Sequence, residues 1–515
     1  MSNSWPSLPI WLFAALPLAA QEGDPLSAID WLSESVSTPA SGTIVTINEP
    51  PVTAAGGALP QPVSTTALDA PQPDGVGLIA PEVSGLPRDL WGGGLTLEIA
   101  ARLTADRAGD LPALRQLFLT ILLAEVEAPA DAGGRGDLLR VRIDKLLALG
   151  ALEQAAALIQ AAGATASPEL FRRAFDVALL TGEEDRACAA MAQTPALAPT
   201  VPARIFCLAR SGQWETATLT LQTAEALGEI SADQATMLAR FLDPVLFEGE
   251  AVPAAPDPVT PLDWKIYEAV GEPLGTDRLP VAFSYAEIGP RAGWKAQIEA
   301  AERLTRAGTI PPNVILGLYT EREAAASGGV WDRVEAFQEF EAALASGDPA
   351  RIGPSLTVVW PLMAEAELEV PFAVLFGKAL IEVPLTGKPA EIAFHIGLLS
   401  PQSDRTARQH VPETPTEAFL VGLATGDIAG LVPPDSLGRA VAQAFLNPAP
   451  SAEAQALFDA NRKGEAILIA IENIGRGVEG DLRGVTEGLS LLRMVGLDSM
   501  ARRTALELML LERRG

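Results

Sequence analysis

The 515-residue sequence predicts an all-α fold, a helical-hairpin repeat superhelix behind a proline-rich extended N-terminal arm. Three observations predict it. From about Leu95 to Leu511 apolar residues recur at three- and four-residue spacing, most clearly in 111–128 (LPALRQLFLTILLAEVEA) and 137–150 (DLLRVRIDKLLALG). Strand-like alternation is scarce, and Phe, Trp and Tyr make up only 5% of the chain. Proline and glycine punctuate the sequence roughly every 15 to 25 residues, the length of one helix with its turn.

The first element is an apolar run over residues 9–20 (PIWLFAALPLAA), too short for a stable bilayer span and ending in small residues before an acidic stretch. It predicts a signal peptide over 1–20, removed after Ala20. Residues 21–37 predict a short amphipathic helix, with Asp24 as N-cap, Pro25 as first helical residue and Leu26, Ile29, Leu32 and Val36 on one face beside Trp31. At about three turns it is marginal alone in water and must dock on its own body or on a partner. Residues 38–92 carry nine prolines among Gly, Ser, Thr and Ala, and predict a semi-extended linker. Its apolar islands 43–47 (TIVTI) and 75–79 (GVGLI) read either as motifs that add to a partner's surface or as parts of a tether lying across its own domain.

Residues 93–250 predict N-terminal helical repeats. Gly150, Gly182 and Gly212 each fall at an expected inter-helix turn, and each is followed five residues later by alanine: Ala155, Ala187 and Ala217. Gly496 and Ala501 repeat the arrangement near the C-terminus, and Gly347, Gly426 and Gly464 echo it with Ile352, Leu431 and Ile469 in place of alanine. Glycine accepts the left-handed turn that ends a helix, and the small residue lets the next helix pack closely. This spacing resembles the tetratricopeptide repeat, although the usual aromatic of the first helix is missing and the repeat length drifts. The resemblance implies a curved superhelix with a concave face that binds proteins or peptides.

Within this region Cys188 and Cys207 lie about equally far from the turn at residues 194–199. Antiparallel packing would set them opposite each other, favouring a disulfide in an oxidising compartment; the alternative is two buried free thiols. Residues 251–292, with prolines at 253, 256, 258, 261, 273, 280 and 290, predict a junction, and 293–515 predict C-terminal helical repeats. Aromatic residues concentrate around this junction. Trp264, Tyr267, Trp294, Tyr319 and Trp331 are candidate partner-binding residues together with Trp31, since Trp and Tyr supply interface hot spots. Their other reading is the core between two halves.

Lys and Arg total 37 against 65 Asp and Glu, a net charge of -28, which argues against nucleic-acid binding, because phosphate contacts need clustered cations. Such a surface favours a partner with a basic surface. No apolar run beyond the first twenty residues is long enough for a transmembrane segment. Phosphate-loop, H-E-x-x-H, C-x-x-C and G-x-S-x-G signatures are absent, so no catalytic, cofactor-binding or metal residues are expected. His395 reads as a core histidine and His410 as a loop residue.

The expectation is therefore a non-enzymatic, periplasmic scaffold that binds an envelope protein or peptide. Two alternatives accompany it. Residues 105–123 (ADRAGDLPALRQLFLTILL) are similar to periplasmic accessory proteins of alphaproteobacterial flagellar motors, which implies a motor partner. In outline the chain also resembles soluble lytic transglycosylases, which need one catalytic Glu in a groove of a helical superhelix. Glu335, Glu339, Glu341, Glu365, Glu367 and Glu369 are the carboxylates that would serve, without the accompanying lysozyme-type motif.

Overall fold

The computed structural model describes residues 72–105, 111–324 and 327–511, all within the unit Val52–Gly515. The expected signal peptide 1–20, the helix 21–37 with Trp31, and the linker up to residue 71 lie outside the described residues. Among the described residues there are 25 α-helices and no strand, only an isolated parallel bridge between Ile79 and Ala124. Most successive helices pack against one another, consistent with a helical-repeat solenoid.

Residues 72–92, expected as the end of a linker, are instead folded onto the helical body. After α1 (Pro81–Ser84) the chain buries Leu86, Leu90 and Trp91, then enters α2 (Thr96–Thr104) and α3 (Pro112–Leu123). The fully buried Arg142 holds this segment in place. Its guanidinium donates to the carbonyls of Leu122 (2.7 Å), Ala124 (3.0 Å) and Val76 (2.7 Å). Burial pulls Arg142 down to about 10, so it stays protonated at neutral pH. Leu78 N–H donates to Leu123 O at 2.7 Å, and Glu125 N–H to Ile79 O at 2.9 Å. The approach is so close at Gly77 that a Cβ there would stand 2.2 Å from the Glu125 amide nitrogen. The GVGLI island is thus a strap across its own domain.

The hairpins follow: α4 (Asp137–Ala148) with α5 (Leu152–Ala162), α6 (Pro168–Thr181) with α7 (Glu184–Gln193), α8 (Val201–Arg210) with α9 (Trp214–Ala226), then α10 (Ala232–Leu242). Gly150, Gly182 and Gly212 have φ of 77°, 80° and 77°. The amide after each donates to the carbonyl five residues back: Ala151 to Leu146, Glu183 to Ala178 and Gln213 to Leu208. This six-to-one bond closes the last turn and requires the left-handed residue between its ends. Ala155 and Ala217 are 0% exposed and Ala187 is 8% exposed, so each sits where its helix presses on the preceding one.

The proline-rich stretch 251–292 contains α11 (Pro261–Ala269) and α12 (Ser284–Ile288). Proline starts α11 rather than breaking it: Thr260 and Asp263 form a reciprocal capping box around Pro261. Trp264 then donates its indole N–H to Leu274 O at 2.9 Å, and the Tyr267 hydroxyl donates to Pro253 O at 2.8 Å.

The second half comprises α13 (Trp294–Arg306), α14 (Pro312–Thr320), α15 (Val330–Ser346), α16 (Pro349–Glu365), α17 (Glu369–Leu380), α18 (Lys388–Leu399), α19 (Ser403–Gln409), α20 (Pro415–Thr425), α21 (Ser436–Leu446), α22 (Ala452–Asp459), α23 (Lys463–Val478), α24 (Leu482–Met494) and α25 (Asp498–Leu510). Its core is aromatic where α15 meets α17, with Phe337, Phe340, Phe372 and Phe376 in mutual edge or tilted contact. Gly496 closes the α24–α25 hairpin at φ 89°, with Ala501 0% exposed. Gly464, read from sequence as an inter-helix turn, lies instead in the first turn of α23. The left-handed position is Asn461, at φ 57°, and the buried small residue five later is Ala466.

The array's two ends pack together. Gly464 N–H donates to Leu90 O at 2.7 Å, and a Cβ on Gly464 would stand 2.6 Å from the Trp91 ring. Arg462 pairs with Glu98 and with the buried Glu465, and Arg102 reaches Glu453 at 3.0 Å. Helices α2 and α3 therefore rest on α23 and α25.

Candidate partner-binding surface

The aromatic residues that the sequence nominated are mostly interior. Trp264 and Tyr267 are each 4% exposed, Trp294 is 9% and Tyr319 is 0%, so these four cannot present a surface to another molecule. Their polar ends are used inside the fold. The Trp294 indole donates to Leu318 O (2.9 Å), and the Tyr319 hydroxyl donates to the buried Glu302 carboxylate (2.6 Å), which also receives Arg333. Burial, with the Glu302 charge next, pushes the Tyr319 hydroxyl well above its ordinary range. Trp331 is part-buried and packs against Trp294 in a tilted contact, with centroids 5.1 Å apart. The junction aromatics form core.

The acidic runs do not converge on a groove: Glu335, Glu339, Glu341, Glu365 and Glu367 are exposed on helix faces and turns, and Glu369 is buried. His395 is part-buried on α18, where burial lowers its pKa. His410 stacks on Phe394 and contacts Glu417 at 2.8 Å. No group of three potential metal-binding side chains occurs among the described residues. A cleft of 690 Å³ lies beside the strap, between residues 75–77 and 125–133, with Arg88, Glu125 and Glu127 as its charged side chains.

The feature that sequence reasoning missed is α9. Its buried side is narrow, made only of Ala217, Leu221 and Ala224. Thr218, Thr220 and Thr223 return their hydroxyls to the carbonyls four residues back, at 2.7–3.0 Å, so they need no outside partner. On the outward side stands Leu219 (65% exposed), and Leu227 (69% exposed) follows at the helix's C-cap, about 80° further round the axis. Trp214, half exposed, begins the helix. Helix α10 starts at the Ser231–Gln234 capping box and runs back antiparallel to α9. It ends in a 3-10 turn, Pro244–Phe247, which exposes Val245 and Leu246 at the end of the hairpin where Trp214 lies. A periodicity search passes over TATLTLQT because Leu219 and Leu221 fall on opposite sides of the helix.

The electrostatics of this hairpin are one-sided. Between residues 213 and 250 there are seven carboxylates, all exposed, and one cation, Arg240. Arg240 is buried: its guanidinium lies over the Phe247 ring and donates to the carbonyls of Glu250 and Ala251. Behind the hairpin, Cys188 on α7 and Cys207 on α8 sit at disulfide-bonding distance, with Cα atoms 5.0 Å apart. Glu184 at the start of α7 meets Lys265 of α11 at 3.4 Å. The exposed apolar face thus rests on a cross-linked base. No helix among the described residues is long and apolar enough to cross a membrane. No family model, curated protein or solved structure matches the chain.

Proposed function

We propose that this chain is an exported helical-repeat scaffold that docks another protein of the cell envelope. The observation that carries the reading is the α9–α10 hairpin, where five of the fourteen exposed large apolar side chains of the described residues gather: Trp214, Leu219, Leu227, Val245 and Leu246. Exposed apolar residues gathered on one element, framed by polar ones, mark interaction sites. Export is supported by the apolar run 9–20 and by the Cys188–Cys207 pair, a cross-link suited to an oxidising compartment.

A photo-crosslinking residue placed at position 219 of the full chain, irradiated in the periplasm of the source cell, tests this. The expected result is a discrete heavier species that is absent when the probe stands at exposed position 358 on α16. A protein that gives no adduct from either position, or the same adducts from both, is not a scaffold working through this face.

A further inference from the structure

Building on that reading, we propose that the α9–α10 hairpin receives a cationic amphipathic helix, its apolar side on Leu219, Leu227 and the Val245–Leu246 turn and its lysines or arginines against the surrounding carboxylates. Helix α9 runs about 20 Å, long enough to face three to four turns of a partner helix. Helices of this kind anchor through apolar residues three, four and seven apart. The charge argument selects the occupant. All seven carboxylates from Glu215 to Glu250 are exposed, and the only cation in the stretch, Arg240, is turned inward. No basic side chain on the hairpin competes for an incoming cation.

The same argument disfavours two other occupants. Residues 1–71 contain no Lys or Arg, so the chain's own arm lacks the complementary charge. A second copy of a chain carrying -28 would bring like charge to like.

The test titrates the full-length protein with a fluorescent Leu/Lys peptide of about 18 residues whose leucines fall on one helical face. Its scrambled isomer, with the same charge and no apolar face, is run in parallel. The native protein should bind the amphipathic peptide at least about tenfold more tightly than the scrambled one, and binding should weaken as salt rises. The decisive variant is the double substitution Leu219→Glu with Leu227→Glu. It makes the surface more acidic while removing the apolar contact, so attraction by charge alone predicts equal or tighter binding. The docking proposal predicts a loss of about tenfold or more. Both positions are more than half exposed, and an unchanged far-UV circular dichroism spectrum and melting temperature verify the fold.

Equal affinity for both peptides, or undiminished binding by the double variant, overturns the proposal. Tighter binding after deletion of residues 21–71 would also overturn it, by making the arm the occupant. If position 219 crosslinks a partner in cells but the peptide titration fails, scaffolding stands and the cationic helix falls. Failure of both removes both.

Discussion

The Glu507 carboxylate in the last helix accepts a 2.8 Å hydrogen bond from the Ala113 amide at the start of α3, 394 residues earlier in the chain. Proline at position 112 removes one orphan donor from that helix start, and Glu507 satisfies the next with a negative group where the helix dipole favours one. Glu507→Ala leaves the buried Ala113 N–H without its acceptor and should cost about 1–3 kcal/mol in urea denaturation. Glu507→Gln keeps an acceptor and should cost less. Equal losses from the two variants would show that side-chain packing, not the cap, is what matters.

The Cys188–Cys207 cross-link closes a loop with a sequence separation of 19. Chain-entropy reasoning assigns such a loop about 3 kcal/mol. Cys207→Ser, or the native protein in reductant, should therefore melt at a lower temperature than the oxidised protein. Adding reductant to the variant should produce no further drop. Labelling of unfolded protein by a thiol reagent should require prior reduction.

Asp176 on α6 supplies a pH signature. Burial pushes its carboxyl up to about 6, from 3.8 in the unfolded chain, against the opposing pull of Arg172 and Arg173. Between those two values the folded state binds the extra proton, so this group's contribution falls as pH rises from about 4 to 6 and then stays level. Asp176→Asn removes the titration. The variant should gain stability relative to native protein across that window, by about 1–3 kcal/mol above pH 6 and by little at pH 4. A difference that does not change with pH would contradict the assignment.

Gly464→Ala should loosen the segment 86–92 from the C-terminal hairpins. A Cβ at 464 would lie 2.6 Å from the Trp91 ring and 2.9 Å from Leu90 Cγ, both fully enclosed side chains. Brief trypsin digestion reads the effect as faster cleavage at Arg88 and Arg102. Gly289→Ala, where a Cβ meets nothing within 4 Å, should leave the digestion pattern unchanged.

The all-α class and the hairpin turns were legible because they depend on local signals: periodicity, and a glycine five residues before a small side chain. The register at residues 461–466 was not legible. A search for glycine selects Gly464, whereas the turn uses Asn461, one of the few other residues that tolerates positive φ, and Glu367 plays the same part between α16 and α17. Proline punctuation also misleads at Pro354 and Pro361, which lie inside α16. The junction aromatics were ambiguous because sequence cannot distinguish an indole that stacks on a partner from one that donates to Leu274 or Leu318. The α9 face was hidden for the opposite reason: Leu219 and Leu227 face the solvent, and Leu221 alone of the helix's leucines faces the core.

Contact between the first and last hairpins also restricts how such a chain can change. A repeat protein with free ends can gain or lose a unit by duplication or deletion, because only nearest neighbours notice. Here an inserted pair of helices would carry Arg462 away from Glu98 and Glu507 away from Ala113 at a single stroke. The number of units is thereby locked, and variation is channelled into point substitutions and surface loops.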